Sequence, residues 1–318
     1  MKQTDKIFIA GARGLVGSAL VRRLEKGGFT HLLTPSHAEL DLMDTQDVSA
    51  YFTETKPDHV FFAAAKVGGI MANSTYPADF IFQNLAIQTN IIHQSFAHQV
   101  KKLLFLGSSC IYPKLCPQPM KEEYLMTGPL EPTNSAYAVA KIAGIEMCWA
   151  YNRQHGTKFI PVMPTNLYGP NDNFDLQTSH VLPALISKFH EAKQNRQPSV
   201  TVWGTGTPKR EFLHVDDLAD ACLFIMTKIF SDEDYRNNPL FNIGTGEDIS
   251  IKELAELIKK ITGFDGDIVY DPSKPDGTPR KLLDVSKMNE LGWQAQTSLK
   301  KGIETAYAAF LEIRSSRS

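Results

Sequence analysis

Tyr137 and Lys141 stand four residues apart in a stretch that reads as helix. That spacing puts them on one face, a turn apart. A lysine cation beside a phenol favours the phenolate, and such a phenol can exchange a proton with a carbonyl or alcohol oxygen. The spacing alone is common: Tyr270 and Lys274 repeat it, with Pro272 between them, which a regular helix excludes. Position distinguishes the first pair. It follows the run Leu106-Gly107-Ser108-Ser109, whose hydroxyls belong at the carboxyl end of a parallel sheet, where ligands of such sheets bind. A second constellation is Gly11-Ala12-Arg13-Gly14-Leu15-Val16-Gly17, placed between a strand and a helix. Glycine lets a pyrophosphate approach the backbone, and the helix start offers free N–H groups and partial positive charge. The second strand ends in Thr34-Pro-Ser-His37, with no acid before Glu39. An acid there would bind the ribose hydroxyls of NAD, whereas Arg13 suits a 2′-phosphate. NADP(H) is therefore favoured, with Glu39 as the group that would reach a ribose.

The elements that must hold these residues alternate. Apolar runs at 6–10, 32–34, 60–64, 103–107 and 159–163 read as strands, and helical patterns fill 15–26, 44–55, 77–99 and 135–155. Ser135 is the expected cap of the last helix and Gly156 its stop. Strand–helix repetition from the first residues predicts an α/β fold: a Rossmann-type doubly wound parallel sheet, with a smaller C-terminal α/β substrate domain. The expected boundary lies at 170, giving 1–170 and 171–318, and segments near 210–229 and 240–244 are expected to pack back on the first part. Helices are expected at 183–193, 215–229, 251–261 and 299–313, short strands at 211–215 and 240–243, and loops at 203–208 and 271–280. Ser231 to Asp234 reads as a solvated loop, and Asp217 as the cap of the helix that follows it.

Composition narrows the class. In 318 residues, 42% are hydrophobic and 21% charged, and the formal net charge is −2. That excludes a disordered or collagen-like chain and carries no basic excess for nucleic acid. No run approaches the ~20 apolar residues of a membrane span, and the N-terminal apolar run is too short for a signal peptide, so a cytoplasmic protein with no membrane partner is expected. The four cysteines, Cys110, Cys116, Cys148 and Cys222, form no CxxC pair and no zinc-like spacing with histidine. Free thiols and no metal site are expected.

Together, the glycine loop, Ser108/Ser109, Tyr137-x-x-x-Lys141 and Asn166-Leu-Tyr-Gly-Pro170 resemble the extended short-chain dehydrogenase/reductase superfamily, which works on nucleotide-sugars. Gly107-Ser-Ser-Cys-Ile-Tyr-Pro113, Pro164-Thr-Asn-Leu-Tyr-Gly-Pro170, Arg210-Glu-Phe-Leu-His-Val-Asp-Asp217 and Lys274-Pro-Asp-Gly-Thr-Pro-Arg-Lys281 are similar to its GDP-sugar 3,5-epimerase–4-reductases, over nearly the whole chain. The resemblance implies a GDP-4-keto-6-deoxy sugar as substrate, NADPH as hydride donor, and a homodimer. It implies Cys110 and His180 as the base and acid that invert carbons 3 and 5, Tyr137 as the proton donor to the new alkoxide, Ser108 as the holder of that oxygen, and Lys141 as their partner. A free cysteine, with pKa ~8.5, is only a few per cent thiolate at neutral pH, so Cys110 needs cationic or hydrogen-bonding help. Cofactor positions carried over are Gly11 to Gly17, His37, Asp41, Leu42, Leu106, Gly107, Ser108, Ser109, Tyr137, Lys141, Pro164, Thr165, Asn166, Leu167 and His180. Ser108, Lys188, Trp203, Arg210, Asp276 and Lys281 carry over as substrate-binding positions. The chain departs from the pattern in having Ser36-His37 where relatives often have arginine. A 4,6-dehydratase would carry a Thr-Asp-Glu arrangement where Ser109-Cys110-Ile111 stands, and a 4-epimerase would not need Cys110 and His180. A reductase inverting one centre, and a non-catalytic NADP-binding protein, are the remaining alternatives.

Overall fold

A computed structural model describes residues 1–176, 178–274 and 276–315; Pro275, within the quoted 274–281 run, lies outside them. The strands are β1 (Ile7–Ala10), β2 (Leu32–Leu33), β3 (His59–Phe62), β4 (Lys102–Leu106), β5 (Phe159–Pro164), β6 (Asn166–Tyr168), β7 (Ser199–Trp203), β8 (Lys209–Arg210), β9 (Phe212–His214), β10 (Phe241–Ile243), β11 (Ile249–Ser250), β12 (Asp267–Asp271) and β13 (Arg280–Lys281). The helices are α1 (Leu15–Lys26), α2 (Thr45–Thr55), α3 (Ile70–Thr75), α4 (Pro77–Ala97), α5 (Ser135–His155), α6 (Val181–Gln194), α7 (Val215–Thr227), α8 (Asp232–Arg236), α9 (Ile251–Thr262), α10 (Ser286–Leu291) and α11 (Leu299–Ser315).

Six strands form one parallel sheet in the order β10-β5-β4-β3-β1-β2. Inner strands β1 and β5 are apolar and buried along their length, and β3 and β4 after their first residues, as a sheet covered on both faces requires. Helices α1 and α7 cover one face, packing with Leu20, Leu24, Leu218 and Met226. Helices α2, α4 and α5 cover the other, with Phe52, Ile91, Ile145 and Trp149. Strand β10 and helix α7 thus return from the second half of the chain. A third core holds α6, α9, α11 and β7 together through Ile186, Phe189, Ile258 and Ile303.

Several local expectations change. Helix α6 begins at Val181 with His180 as N-cap, not at Pro183. A proline in the first turn loses no intrahelical bond, because the first N–H groups have no partner there. Asn134, not Ser135, is the N-cap of α5, while Gly156 ends it in the left-handed conformation as expected (φ 67°). Residues 232–236 form a short helix closed by a Ser231–Asp234 capping box rather than a plain loop. His214 caps α7, and Asp217 instead accepts from Gln296 N, Thr297 N and Thr297 Oγ1, at 3.1, 2.8 and 3.0 Å. Strands β7 and β12 pair in parallel across a long sequence separation, so no local signal announces them.

The sheet delivers the glycine loop directly from β1 into α1. A Cβ at Gly17 would overlap Gly11 O and lie 2.6 Å from Ala12 Cα. Both obstacles are backbone, so the cost of Gly17→Ala is expected at roughly 1–3 kcal/mol. A fall in Tm with weaker dinucleotide binding is the expected outcome; an unchanged thermal melt would contradict this close packing of helix on strand.

Candidate active site

The glycine loop meets the requirements of a dinucleotide. Gly11 adopts φ 84°, and a Cβ there would lie 2.8 Å from Ala64 N, so the turn needs glycine. At Gly14, the N-cap of α1, a Cβ would have only Gly11 O nearby, at 3.5 Å, which leaves the outer side open. The first turn of α1 carries no carboxylate. Arg13 is exposed beside it. Glu39 turns back on its own loop: its carboxylate accepts from Ser36 N and Ser36 Oγ, both at 2.7 Å. Those bonds, with a smaller attraction from Arg13, hold its pKa below the usual carboxylate value. Its preferred partners are thus local. His37 is exposed on the same turn; Asp41 accepts from Met43 N at 2.9 Å, and Leu42 O accepts from Asn90 at 3.0 Å. Farther along the sheet, a Cβ at Gly107 would meet Met163 Sδ at 2.8 Å. Pro164 ends β5, Leu167 lies in β6, and Thr165 N bonds Ile243 O at 3.0 Å.

Ser108 caps a single 3-10 turn, Ser109–Ile111, just beyond β4. Its Oγ lies 3.1 Å from Cys110 Sγ and accepts from Cys110 N at 3.4 Å. Tyr137 is buried in the first turn of α5. Burial raises its phenol above the ordinary value, and Cys110 pushes the same way, while a hydrogen bond with Ser108 opposes them. Lys141 is buried one turn on; its Nζ donates to Leu106 O at 2.8 Å and lies 4.7 Å from the Phe105 ring centre. Burial lowers its pKa to about 8, against smaller attractions from Cys110 and Cys148. The expectation that Lys141 lowers the phenol pKa is therefore reversed. The Tyr137 ring centre is 6.0 Å from Nζ, and desolvation is the largest effect on the phenol. A raised pKa keeps the phenol protonated, the form that donates.

Lys281 connects this group to His180. Burial lowers its pKa, and Cys110 is the largest opposing attraction. His180, at the N-cap of α6, reaches solvent, yet the protein around it disfavours its cation, with Lys281 adding to the effect. One cation thus acts on Cys110 and on His180. Cys110, Lys281 and Glu131 also line one small pocket. A separate open depression of about 620 Å3 lies between α2 and α4, lined by Thr45, Ser49, Glu54 and Gln94 among others; none of the residues above belongs to it.

The remaining positions form a second group. Arg210 on β8 is in register with Lys281 on β13. Burial lowers the Arg210 pKa, with Asp276 opposing. Trp203 is 54% exposed, with Lys188 Nζ 5.1 Å and Lys274 Nζ 5.7 Å from its ring centre. Lys188 is half-buried and donates to Thr201 O at 3.1 Å, so it is less free than a lysine on an exposed helix face. Asp276 accepts from Thr205 N at 2.7 Å and Thr205 Oγ1 at 2.9 Å, so it fixes the loop after Trp203.

Sequence reasoning passed over four residues here. Asn134 donates to Cys110 O at 3.4 Å. Lys274 flanks Trp203. Asp172 shares the loop of His180; one oxygen accepts from Asn173 N at 2.8 Å and the other is buried without a partner among the described residues, and burial pushes its pKa up to about 7. Glu211 is fully buried beside Arg210. Asn134 and Glu211 stood inside or beside quoted motifs, but burial is not written in residue type.

The profile of the NAD dependent epimerase/dehydratase family matches residues 7–244. The chain belongs to that family. Within it, the chain is 59% identical to GDP-L-fucose synthase 1 of Arabidopsis thaliana over 310 residues, covering 98% of this chain and 94% of that protein. The GDP-L-fucose synthetase of Naegleria fowleri solved with NADP bound superposes with a TM-score of 0.91 at 31% identity, covering 99% of this chain and 95% of that one. A GDP-mannoheptose C4 reductase from Campylobacter jejuni, also with NADP bound, gives 0.89 at 42% identity, over 98% and 99% of the chains. The six-stranded parallel sheet of this epimerase/dehydratase chain is thus shared with enzymes that bear NADP.

Proposed function

We propose that this chain converts GDP-4-keto-6-deoxy-D-mannose to GDP-L-fucose, by epimerisation at carbons 3 and 5 and reduction of the 4-ketone with NADPH. The observation that carries the reading is that Ser108 Oγ stands 3.1 Å from Cys110 Sγ and bonds Tyr137, one turn from Lys141, so that a thiol adjoins the set for ketone reduction; His180 joins them in this reading as the second proton-transfer group. The ketone acidifies the protons on carbons 3 and 5. In this reading Cys110 removes them as base, and His180 returns a proton to each carbon, taken in turn from the solvent that it reaches. Ser108 and Tyr137 donate to the ketone oxygen and stabilise the enolate in the manner of an oxyanion hole. NADPH, when bound, supplies the hydride for carbon 4. Tyr137 then gives its proton to the alkoxide, and Lys141 stays bonded at the end of β4. Arg210 and Lys281 suit the diphosphate, and Trp203 with Lys188 and Asp276 forms the outer wall of the sugar-nucleotide site.

NADP is preferred over NAD because Arg13 is exposed at the loop while Glu39 is engaged by Ser36. Arg13→Ala is expected to weaken NADPH about tenfold, as for loss of one charge-assisted bond, and NADH hardly at all, measured by fluorescence titration; equal losses would remove the 2′-phosphate role. The cofactor part is 1–170, joined by 210–229 and 240–244, and the rest, within 171–318, covers the substrate. A homodimer fits the exposed Phe82 on α4 and Val139 on α5. Cytoplasmic residence fits the four free cysteines; among the described residues, no helix is long and apolar enough to cross a membrane.

The test is one reaction in heavy water with NADPH and GDP-4-keto-6-deoxy-mannose, read by mass and NMR. Deuterium at carbons 3 and 5 with NADPH oxidation is expected. Label at one centre means a relative that makes another sugar. Oxidation without label means a plain C4 reductase, the second reading, which the 42% identity to the heptose reductase favours. Neither label nor oxidation means a different nucleotide-sugar or a non-catalytic NADP-binding protein.

A further inference from the structure

We propose that Glu211 is the positioning residue of the diphosphate site, its carboxylate holding Arg210 and Lys281 side by side; this rests on the reading that the chain binds a GDP-sugar. The two cations sit on β8 and β13, whose shared ladder is only two residues long, Lys209↔Arg280 and Arg210↔Lys281. Ordinary strands run 3–10 residues, so so short a pairing needs other support to keep its register.

Glu211, the next residue, supplies it. Its side chain is fully buried. One carboxylate oxygen accepts from Thr245 N at 2.7 Å and Gly246 N at 2.8 Å, and the other from Leu283 N at 3.0 Å. Thr245 Oγ1 adds a longer contact at 3.4 Å. All these partners are donors, which favours the ionised carboxylate against the opposing effect of burial. Leu283 lies two residues after Lys281, and Glu211 N itself donates to Lys281 O at 3.3 Å. The Glu211 carbonyl accepts from Asn166 Nδ2 at 2.8 Å and Thr165 Oγ1 at 3.3 Å. One residue therefore joins the β13 segment, the loop after β10 and the strand end on the cofactor side. The carboxylate bonds hold the first two; the third rests mainly on the main-chain carbonyl, with Thr165 also beside the carboxylate. Removing the charge should loosen the diphosphate cations and spare the dinucleotide.

Two variants separate this from a general structural role. Glu211→Gln turns an amide N–H₂ toward backbone N–H groups and cannot accept at both positions. Gly244→Ala keeps the carboxylate but displaces it, because the added Cβ would overlap one carboxylate oxygen and lie 2.8 Å from Glu211 Cδ. GDP and NADPH are titrated calorimetrically into the full-length protein, and amide exchange is followed by mass spectrometry. In both variants the GDP Kd is expected to rise about tenfold, the scale of a lost bond to a charged group, with NADPH Kd within about twofold. Exchange should quicken at 245–246 and 281–283 while β1, β3 and β4 stay protected. GDP binding as tight as wild type in Glu211→Gln, or tight binding in Gly244→Ala alone, overturns the proposal. So does parallel loss of GDP and NADPH with exchange throughout the sheet. If the wild-type protein binds no GDP, the GDP-sugar reading falls, and unchanged exchange at 281–283 in Glu211→Gln would then overturn the clamp by itself.

Discussion

Tyr137→Phe is expected to abolish ketone reduction, with NADPH oxidation falling by about 10²–10⁴-fold, the range that a positioned general acid contributes. The substitution removes one oxygen and keeps the ring, which packs edge-on to Phe80 at 6.4 Å between centroids. Folding and NADPH affinity should therefore survive. The raised phenol pKa makes the prediction sharper. Burial keeps the proton on Tyr137 through the neutral range, the form that the proposed role as donor needs, and Cys110, the other group at Ser108, has the role of base in that reading. Deuterium entry at carbons 3 and 5 should persist at a reduced rate, because Ser108 still donates to the ketone oxygen. Rapid-mixing absorbance of NADPH and product mass spectra give both rates from one sample. Near-normal oxidation would remove Tyr137 as the acid.

Cys110→Ser carries the second large effect. The serine hydroxyl fits the same turn, yet it is a far weaker acid than a thiol, so almost none of it ionises to act as base. Deuterium incorporation is expected to fall by about 10²–10⁴-fold, with NADPH binding within about twofold. The neighbours of Cys110 support the assignment from two sides: Ser108 Oγ stands 3.1 Å from its sulfur, and Lys281 lines the same small pocket. Exchange at the full rate in this variant would mean that another group is the base. Loss of NADPH binding as well would mean that the 3-10 turn at 109–111 had collapsed, and the variant would then report on folding.

Much of the cofactor half could be read along the chain. A strand, a glycine turn and a helix are neighbours in sequence, so the pattern from Ile7 to Lys26 carries its own structure. Helix α5 behaves likewise: its periodicity and Gly156 set its extent, and four-residue spacing puts Tyr137 and Lys141 on one face. The second half was less legible. Strands β8, β11 and β13 are two residues each, too short to show a period, and β7 finds β12 only after 63 intervening residues, from 204 to 266, have folded back.

The site divides the same way. Residue types and motif order determined the fold class, the glycine loop, the helical Tyr–Lys pair and the candidates Ser108, Cys110 and His180. Tertiary structure alone decided that Lys141 bonds Leu106 O rather than serving the phenol directly, that Tyr137 is pushed up rather than down, that Glu39 is held by Ser36, and that Lys281 stands between Cys110 and His180 in its effects. The physical reason is one of range. Local propensity and periodicity are properties of adjacent residues, while desolvation and charge–charge interaction depend on whatever the fold brings within a few ångströms, however distant in the chain.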